Sequence, residues 1–234
     1  MVLLHIFIWS TGAECVKIDG VRRCPMATES LFTLSGISLI GYALLGYAFG
    51  CIPCSYLASK MMGHIDIRNY GSGNTGATNV YRVLGKKAGI VAFLGDFLKG
   101  LVPALIGNAL AGQEAAAVAS LFAVIGHCYP VTLKFKGGKG VATSAGMIFG
   151  TAPLIGVVLI ILQFTILFLT RYMSLASIIS AVLFPILVYF TDPTPVYQIA
   201  SFLMGILVIF RHHSNIRKLL KGEESKMTSK KKKT

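Results

Sequence analysis

Charged residues are in short supply. Asp, Glu, Lys and Arg make up 13% of the 234 residues, whereas soluble domains carry about a quarter. With 54% hydrophobic residues, this excludes an ordinary soluble domain and predicts an integral membrane protein whose outer face is lipid. The apolar stretches are continuous and do not alternate over roughly ten residues, which excludes a transmembrane β-barrel. Cysteines number five, an odd count that supplies no disulfide framework. Cys51 and Cys54 form a CxxC, but inside an apolar helix pattern without a second pair, so they read as small core residues. No internal repeat relates the two halves, which argues against an inverted-repeat transporter. Spacing suggests no Ser–His–Asp set, which favours chemistry without a covalent enzyme intermediate.

Acids are scarcer still. Nine Asp and Glu stand against 22 Lys and Arg, a net charge of +13. The basic residues gather at Lys60 to Lys87, Lys134 to Lys139, Arg171, and Arg211 to the end. These clusters alternate with apolar stretches, so the expected partner is anionic lipid or an anionic substrate and not nucleic acid.

Spans of roughly 20 apolar residues cross a bilayer. Leu31–Ala58, Ala88–Ala111 and Ala115–Tyr129 are the first three. Val141–Thr170 would be about 45 Å long as one helix, too long for a hydrocarbon core of roughly 30 Å. Gly150 and Pro153 offer a break within it. Tyr172–Phe190 and Val196–Phe210 complete an all-α bundle of about seven transmembrane helices. With seven, every basic cluster falls on one side, which places the N-terminus outside and the C-terminus in the cytoplasm. Residues 1–30 fit poorly: Met1–Trp9 is apolar but short and lacks a basic flank, so it makes no signal peptide, and Met26 is an alternative start. The membrane domain spans 31–217. Residues 218–234 form a basic tail ending in a lysine run, partly disordered and held near anionic headgroups.

Three polar clusters interrupt this pattern. Gly126–Thr143 reads GHCYPVTLKFKGGKGVAT, with Lys134, Lys136 and Lys139 among Gly137, Gly138 and Gly140. Adjacent glycines bring backbone amides close to a ligand, and a helix opening at Val141 adds its positive end, so the loop suits phosphate. The plainer reading is a basic loop that only orients the protein. Gly71-Ser72-Gly73-Asn74-Thr75-Gly76 matches GxGxxG, but no βαβ unit surrounds it, and Lys139 is followed by glycine where a Walker loop has Ser or Thr. Ser72, Asn74, Thr78, Asn79 and Arg82 can still hydrogen-bond a phosphate or polyol, Arg82 through its planar fork. The third cluster is His212, His213 and Asn215. No Cys, Asp or Glu stands at ligand spacing beside it, so no metal is expected. Asp96 and Lys99, at i and i+3 within a span, share one helix face; a functional pair and a packing pair remain equal alternatives.

GSGNTGATNVYRVLG, GHCYPVTLKFKGGKGVAT and HHSNIRKLLKGEE, in that order and separated by spans, resemble the bacterial membrane glycerol-3-phosphate acyltransferases that use acyl phosphate. The resemblance covers about residues 36 to 224. It implies transfer of a fatty acyl group from acyl phosphate to the 1-hydroxyl of sn-glycerol 3-phosphate, giving 1-acyl-sn-glycerol 3-phosphate (lysophosphatidate) and phosphate. This is the first step of phospholipid synthesis, carried out at the cytoplasmic face of the bacterial plasma membrane without metal or cofactor. It implies catalytic roles for Ser72, Arg82, Lys139, His212 and Asn215. Substrate binding would fall to Gly73, Asn74, Thr78, Asn79, Gly137, Gly138, Gly140 and a serine after the fifth span, Ser174 or Ser177. Glu224 or Glu223 would be a structural acid. The implied partners are acyl phosphate, sn-glycerol 3-phosphate, membrane lipid and, as an open question, the enzyme that makes acyl phosphate. Departures from the pattern are Thr75, Cys128-Tyr129 and His213, the last leaving open which histidine functions. An organophosphate transporter and a lipid-binding scaffold are the competing readings.

Overall fold

A computed structural model describes residues 16–18, 21–23 and 36–227. The chain divides into two units, Met1–Gly36 and Ile37–Thr234. In the first, β1 (Val16–Ile18) pairs antiparallel with β2 (Val21–Arg23), Lys17 opposite Arg22. This small ladder is the exception to an all-helical expectation. The rest of the anticipated N-terminal extension, and the lysine run from residue 228 onward, lie outside the described residues.

In the second unit the apolar stretches are helices. The first span is broken: α1 (Gly36–Gly50) gives way to α2 (Cys54–Gly63) around Pro53, and its expected residues 31–35 lie outside the described ones. Proline has no N–H to continue the ladder, and Cys54 N turns instead to the Ile52 carbonyl at 3.0 Å. A polar loop and the short α3 (Ala77–Leu84) lead to α4 (Lys86–Cys128). Ala111 and Gly112 are non-helical, Gly112 at φ 76°, and divide α4 into two arms at the turn expected there. After the glycine-lysine loop, α5 (Val141–Thr151) ends one residue before α6 (Pro153–Thr170), as Gly150 and Pro153 predict. The helices α7 (Met173–Thr191), α8 (Pro195–Arg211) and α9 (His213–Leu220) complete the unit, the last two meeting at 57°. Among the described residues, four helical segments are long and apolar enough to cross a membrane, or five if α8 and α9 are one bent span.

Glycines set the helix contacts. A methyl on Gly46 would run into the Ala119 carbonyl oxygen, and one on Gly50 into that of Ala123, so α1 lies directly on the second arm of α4. Gly100 and Gly146 do the same between the first arm and α5, against the carbonyls of Thr143 and Phe97. Such close approach maximises van der Waals contact where lipid removes the hydrophobic incentive to associate. The core that results, with Val124, Met147, Phe184, Tyr197 and Met204, sits among α4, α5, α7 and α8. Tyr197 is fully buried, its hydroxyl 2.9 Å from Thr151 Oγ1. Phe168, by contrast, is 86% exposed. A surface of this kind belongs in hydrocarbon.

Candidate active site

One face of the bundle carries all three polar clusters. The first is built on Asn79, buried at the start of α3. Its Nδ2 donates to the carbonyls of Ile67, Tyr70 and Asn74 at 3.0–3.3 Å, and its Oδ1 accepts from Ser72 N at 2.9 Å. The side chain therefore holds the loop in shape from inside. Gly71 and Gly73 take positive φ in that loop, a conformation glycine adopts without strain. At its start Asp66 accepts from Arg68 N and from its guanidinium, which holds the Asp66 carboxyl down at about 2.

The second cluster follows a 3₁₀ turn, Val131–Leu133. Gly137 and Gly138 are buried under the loop: a methyl on Gly137 would run into the His127 carbonyl oxygen, and one on Gly138 into the His127 ring. Their own carbonyls accept from Arg211, Gly138 O from Nε and Gly137 O from Nη2, both at 3.0 Å. Both glycines are therefore closely packed against neighbouring elements. Gly140, at φ 86°, turns the chain into α5. Lys134 and Lys136 are exposed, whereas Lys139 is half-buried. Burial pushes the Lys139 ammonium down to about 8, with Arg82, Arg211 and Lys218 adding to the effect and Glu224 opposing it.

The third cluster closes the site. Lys139 Nζ donates to Asn215 Oδ1. Asn215 Nδ2 donates to Glu224 Oε1 at 2.8 Å, and Ser174 Oγ donates to the same oxygen at 2.8 Å. His212 is buried and His213 exposed. A carbonyl can only accept, so the 2.7 Å contact between His212 Nδ1 and Val208 O puts a ring proton on Nδ1, and in the neutral ring Nε2 is then the acceptor. Arg82 Nη2 reaches Ser225 O at 3.4 Å, joining the first cluster to the chain after α9.

Together these residues surround a cavity of about 290 Å³. Ser72, Asn74, Thr78, Asn79, Arg82, Lys139, Gly140, Ser174, His212 and Asn215 line it; Gly73, Gly137 and Gly138 do not. Both Ser174 and Ser177 face it, and of the two acids only Glu224 does. The wall then runs deep along apolar residues such as Phe149, Leu159, Phe184 and Met204. An anion-binding mouth on a greasy shaft suits a molecule with a phosphate and an alkyl chain. Asp96, seen in sequence only as half of a pair, and His127 also line the cavity. The signal for His127 was its place at the head of the glycine-lysine motif. Gln163, which also lines the cavity, donates to Ser177 Oγ at 3.2 Å, and the lone amide in an apolar stretch was its signal.

A family profile described as glycerol-3-phosphate acyltransferase matches residues 40–222. The chain belongs to that family. A glycerol-3-phosphate acyltransferase from Thermoanaerobacter sp. (strain X514) is 47% identical over 185 residues, covering 79% of this chain and 93% of that protein. One from Syntrophotalea carbinolica is 47% identical over 187 residues, covering 77% and 93%. The glycerol 3-phosphate form of PlsY (YgiH), an integral membrane glycerol 3-phosphate acyltransferase, superposes with TM-score 0.78 at 38% identity, over 82% of this chain and 96% of that one. Its lysophosphatidic acid form gives 0.76 at 36%, over the same shares. The chain is thus an integral membrane acyltransferase of PlsY type, in agreement with the resemblance carried by its three motifs.

Proposed function

We propose that the chain transfers a fatty acyl group from acyl phosphate to the 1-hydroxyl of sn-glycerol 3-phosphate, releasing lysophosphatidate and phosphate. The observation that carries this reading is one continuous cavity, cationic at its mouth and apolar in depth. The two phosphates lie at the mouth on Lys139 and Arg82, and the acyl chain runs along Phe149, Leu159 and Phe184. The glycerol oxygen attacks the acyl carbonyl carbon, the carbon–oxygen bond to phosphate breaks, and the hydroxyl proton passes to a substrate phosphate oxygen. Acyl phosphate is already activated, so the protein's task is to hold two anions in register and stabilise the charge that develops on the carbonyl and departing phosphate. Ser72, Asn74 and Asn215 orient the glycerol, His212 Nε2 accepts a hydrogen bond from a substrate hydroxyl, and Ser174 is held toward the site by Glu224. No metal or cofactor enters this scheme.

Seven crossings fit the helices as follows: α1 with α2, each arm of α4, and α5, α6, α7 and α8. This path puts the basic clusters on one side, which the positive-inside rule makes cytoplasmic, with the N-terminus outside in a bacterial plasma membrane. At 11 residues, α5 is about 16 Å long and crosses only part of a core of roughly 30 Å. Its continuation toward the cytoplasm is the glycine-lysine loop, which would bring Lys139 to headgroup depth.

The test uses purified protein in lipid nanodiscs with sn-glycerol 3-phosphate and either palmitoyl phosphate or palmitoyl-coenzyme A. Equimolar phosphate and lysophosphatidate from the first donor alone is the expected result. Product from the thioester and none from the phosphate would overturn the donor assignment. The proposed membrane side is checked by labelling a cysteine placed at exposed Lys136 in intact cells, where a membrane-impermeant reagent should fail to reach it.

A further inference from the structure

Behind the cavity mouth lies a buried charged cluster. Asp96 and Lys99, both on the first arm of α4, form an ion pair at 2.8 Å with side chains 1% and 4% exposed. Ser55 Oγ, on α2, donates to the other Asp96 oxygen at 2.5 Å. Lys99 Nζ also donates to the Ile52 carbonyl at 2.9 Å, where the first span is broken. His127, from the second arm, brings Nδ1 to 3.5 Å from Asp96 Oδ1. Charges buried in a bilayer cost several kcal/mol unless paired, so a cluster that serves only packing is readily replaced by apolar residues.

Its connections suggest a purpose. On the far side of its ring, His127 presents Nε2 to Gly138 so closely that a methyl there would run into it, with Cε1 next at 2.8 Å. The His127 carbonyl accepts from Gly138 N at 3.1 Å. Lys139 is the next residue. The same cluster holds α2 through Ser55, and α2 leads into the loop that carries Ser72 and Asn74.

We propose that His127, packed beside Asp96, is a positioning residue: its ring is the seat on which the glycine-lysine loop rests, and it sets Lys139 against the substrate phosphate. The inference rests on the assignment of Lys139 to phosphate binding. Asp96 and Lys99 then form a brace that keeps the two substrate loops in register across the break in the first span.

A size-compensation experiment tests this, with lysophosphatidate formation and thermal unfolding followed on full-length protein in nanodiscs. His127→Asn keeps a polar group toward Asp96 but removes the ring tip beneath Gly138. Its kcat/KM should fall by about 10- to 100-fold, the range expected for a reacting group displaced by an ångström, with the unfolding temperature little changed. Gly138→Ala should lose activity, and the double variant Gly138→Ala/His127→Asn should recover to the level of His127→Asn alone. Gly137→Ala is the control: its methyl meets the His127 carbonyl, so no change of the His127 side chain restores it. Wild-type kinetics in His127→Asn, or a double variant no better than Gly138→Ala, would overturn the seat. Should His127→Asn fail to fold, the isosteric Asp96→Asn must show the same fall, and normal kinetics there would overturn the brace. Lys139→Ala separates the two claims: if it is fully active, the phosphate assignment fails; if it is inactive while His127→Asn is normal, only the seat does.

Discussion

Asn215 and Ser174, from α9 and α7, meet at one oxygen of Glu224, each donating to it at 2.8 Å. Two site residues from separate helices thus share an acceptor in the chain that follows α9. Glu224→Ala leaves both donors without it. The cost is about 1–3 kcal/mol for the unpaired buried groups, together with a fall in kcat/KM of about 10- to 100-fold from a disordered site. Thermal unfolding and initial rates in nanodiscs check both, and an unchanged rate would exclude Glu224 from organising the site.

The acidity of Lys139 predicts a pH profile. Burial holds it down to about 8, so the ammonium is present below that pH and lost above it. If the charge is what binds phosphate, kcat/KM falls as pH rises through about 8. Glu224 favours the charged form, so Glu224→Gln, which keeps an acceptor but removes the charge, should move this limb to lower pH. Arginine keeps its charge throughout the range, and the residual activity of Lys139→Arg should show no such limb. Rates measured from pH 6 to 10 decide between these outcomes and a profile indifferent to position 139.

Asn79 bonds to the loop and not outward. Asn79→Ala removes the donor that three carbonyls share, and the expected signature is a raised KM for sn-glycerol 3-phosphate with a stability loss of about 1–3 kcal/mol. A change in kcat alone, with KM untouched, would instead assign Asn79 a direct part in the reaction.

Gly146 sits where α5 meets the Phe97 carbonyl of α4. Gly146→Ala must push the helices apart, an overpacking cost of about 1–3 kcal/mol. The unfolding temperature should drop, while Gly41→Ala, where a methyl meets nothing within 4 Å, should leave it unchanged.

Much of this architecture is legible in the sequence. The turn at Gly112 and the break between Gly150 and Pro153 were visible because glycine and proline interrupt runs too long for one span. Those interruptions are local. The split in the first span at Pro53 is masked by the long apolar run around it, although the same chemistry produced it. Motif order brought Ser72, Lys139 and Asn215 to one face, yet the packing around Gly137 and Gly138 was hidden. Their closest neighbours, His127 and Arg211, come from the ends of other helices, and a GG pair looks the same whether it cradles a ligand or admits a side chain. Asn79 was legible as polar but not as inward-facing, since its partners are loop carbonyls that any residue carries. His127 stands at the head of the glycine-lysine motif, but its nearness to Asp96 and Gly138 is supplied only by the fold.

Glu224 lines the cavity from beyond the last helix, and Met227 N is fastened to the Arg171 carbonyl at 2.7 Å. This gives the enzyme a built-in order of maturation. A ribosome that has threaded every helix into the bilayer has not yet supplied the residue on which Asn215 and Ser174 converge. A nascent chain stopped at Gly222 would carry every helix and still lack the acceptor that Asn215 and Ser174 share. The ordered form of the site would therefore arrive with the final residues of the described chain, after the membrane part is complete.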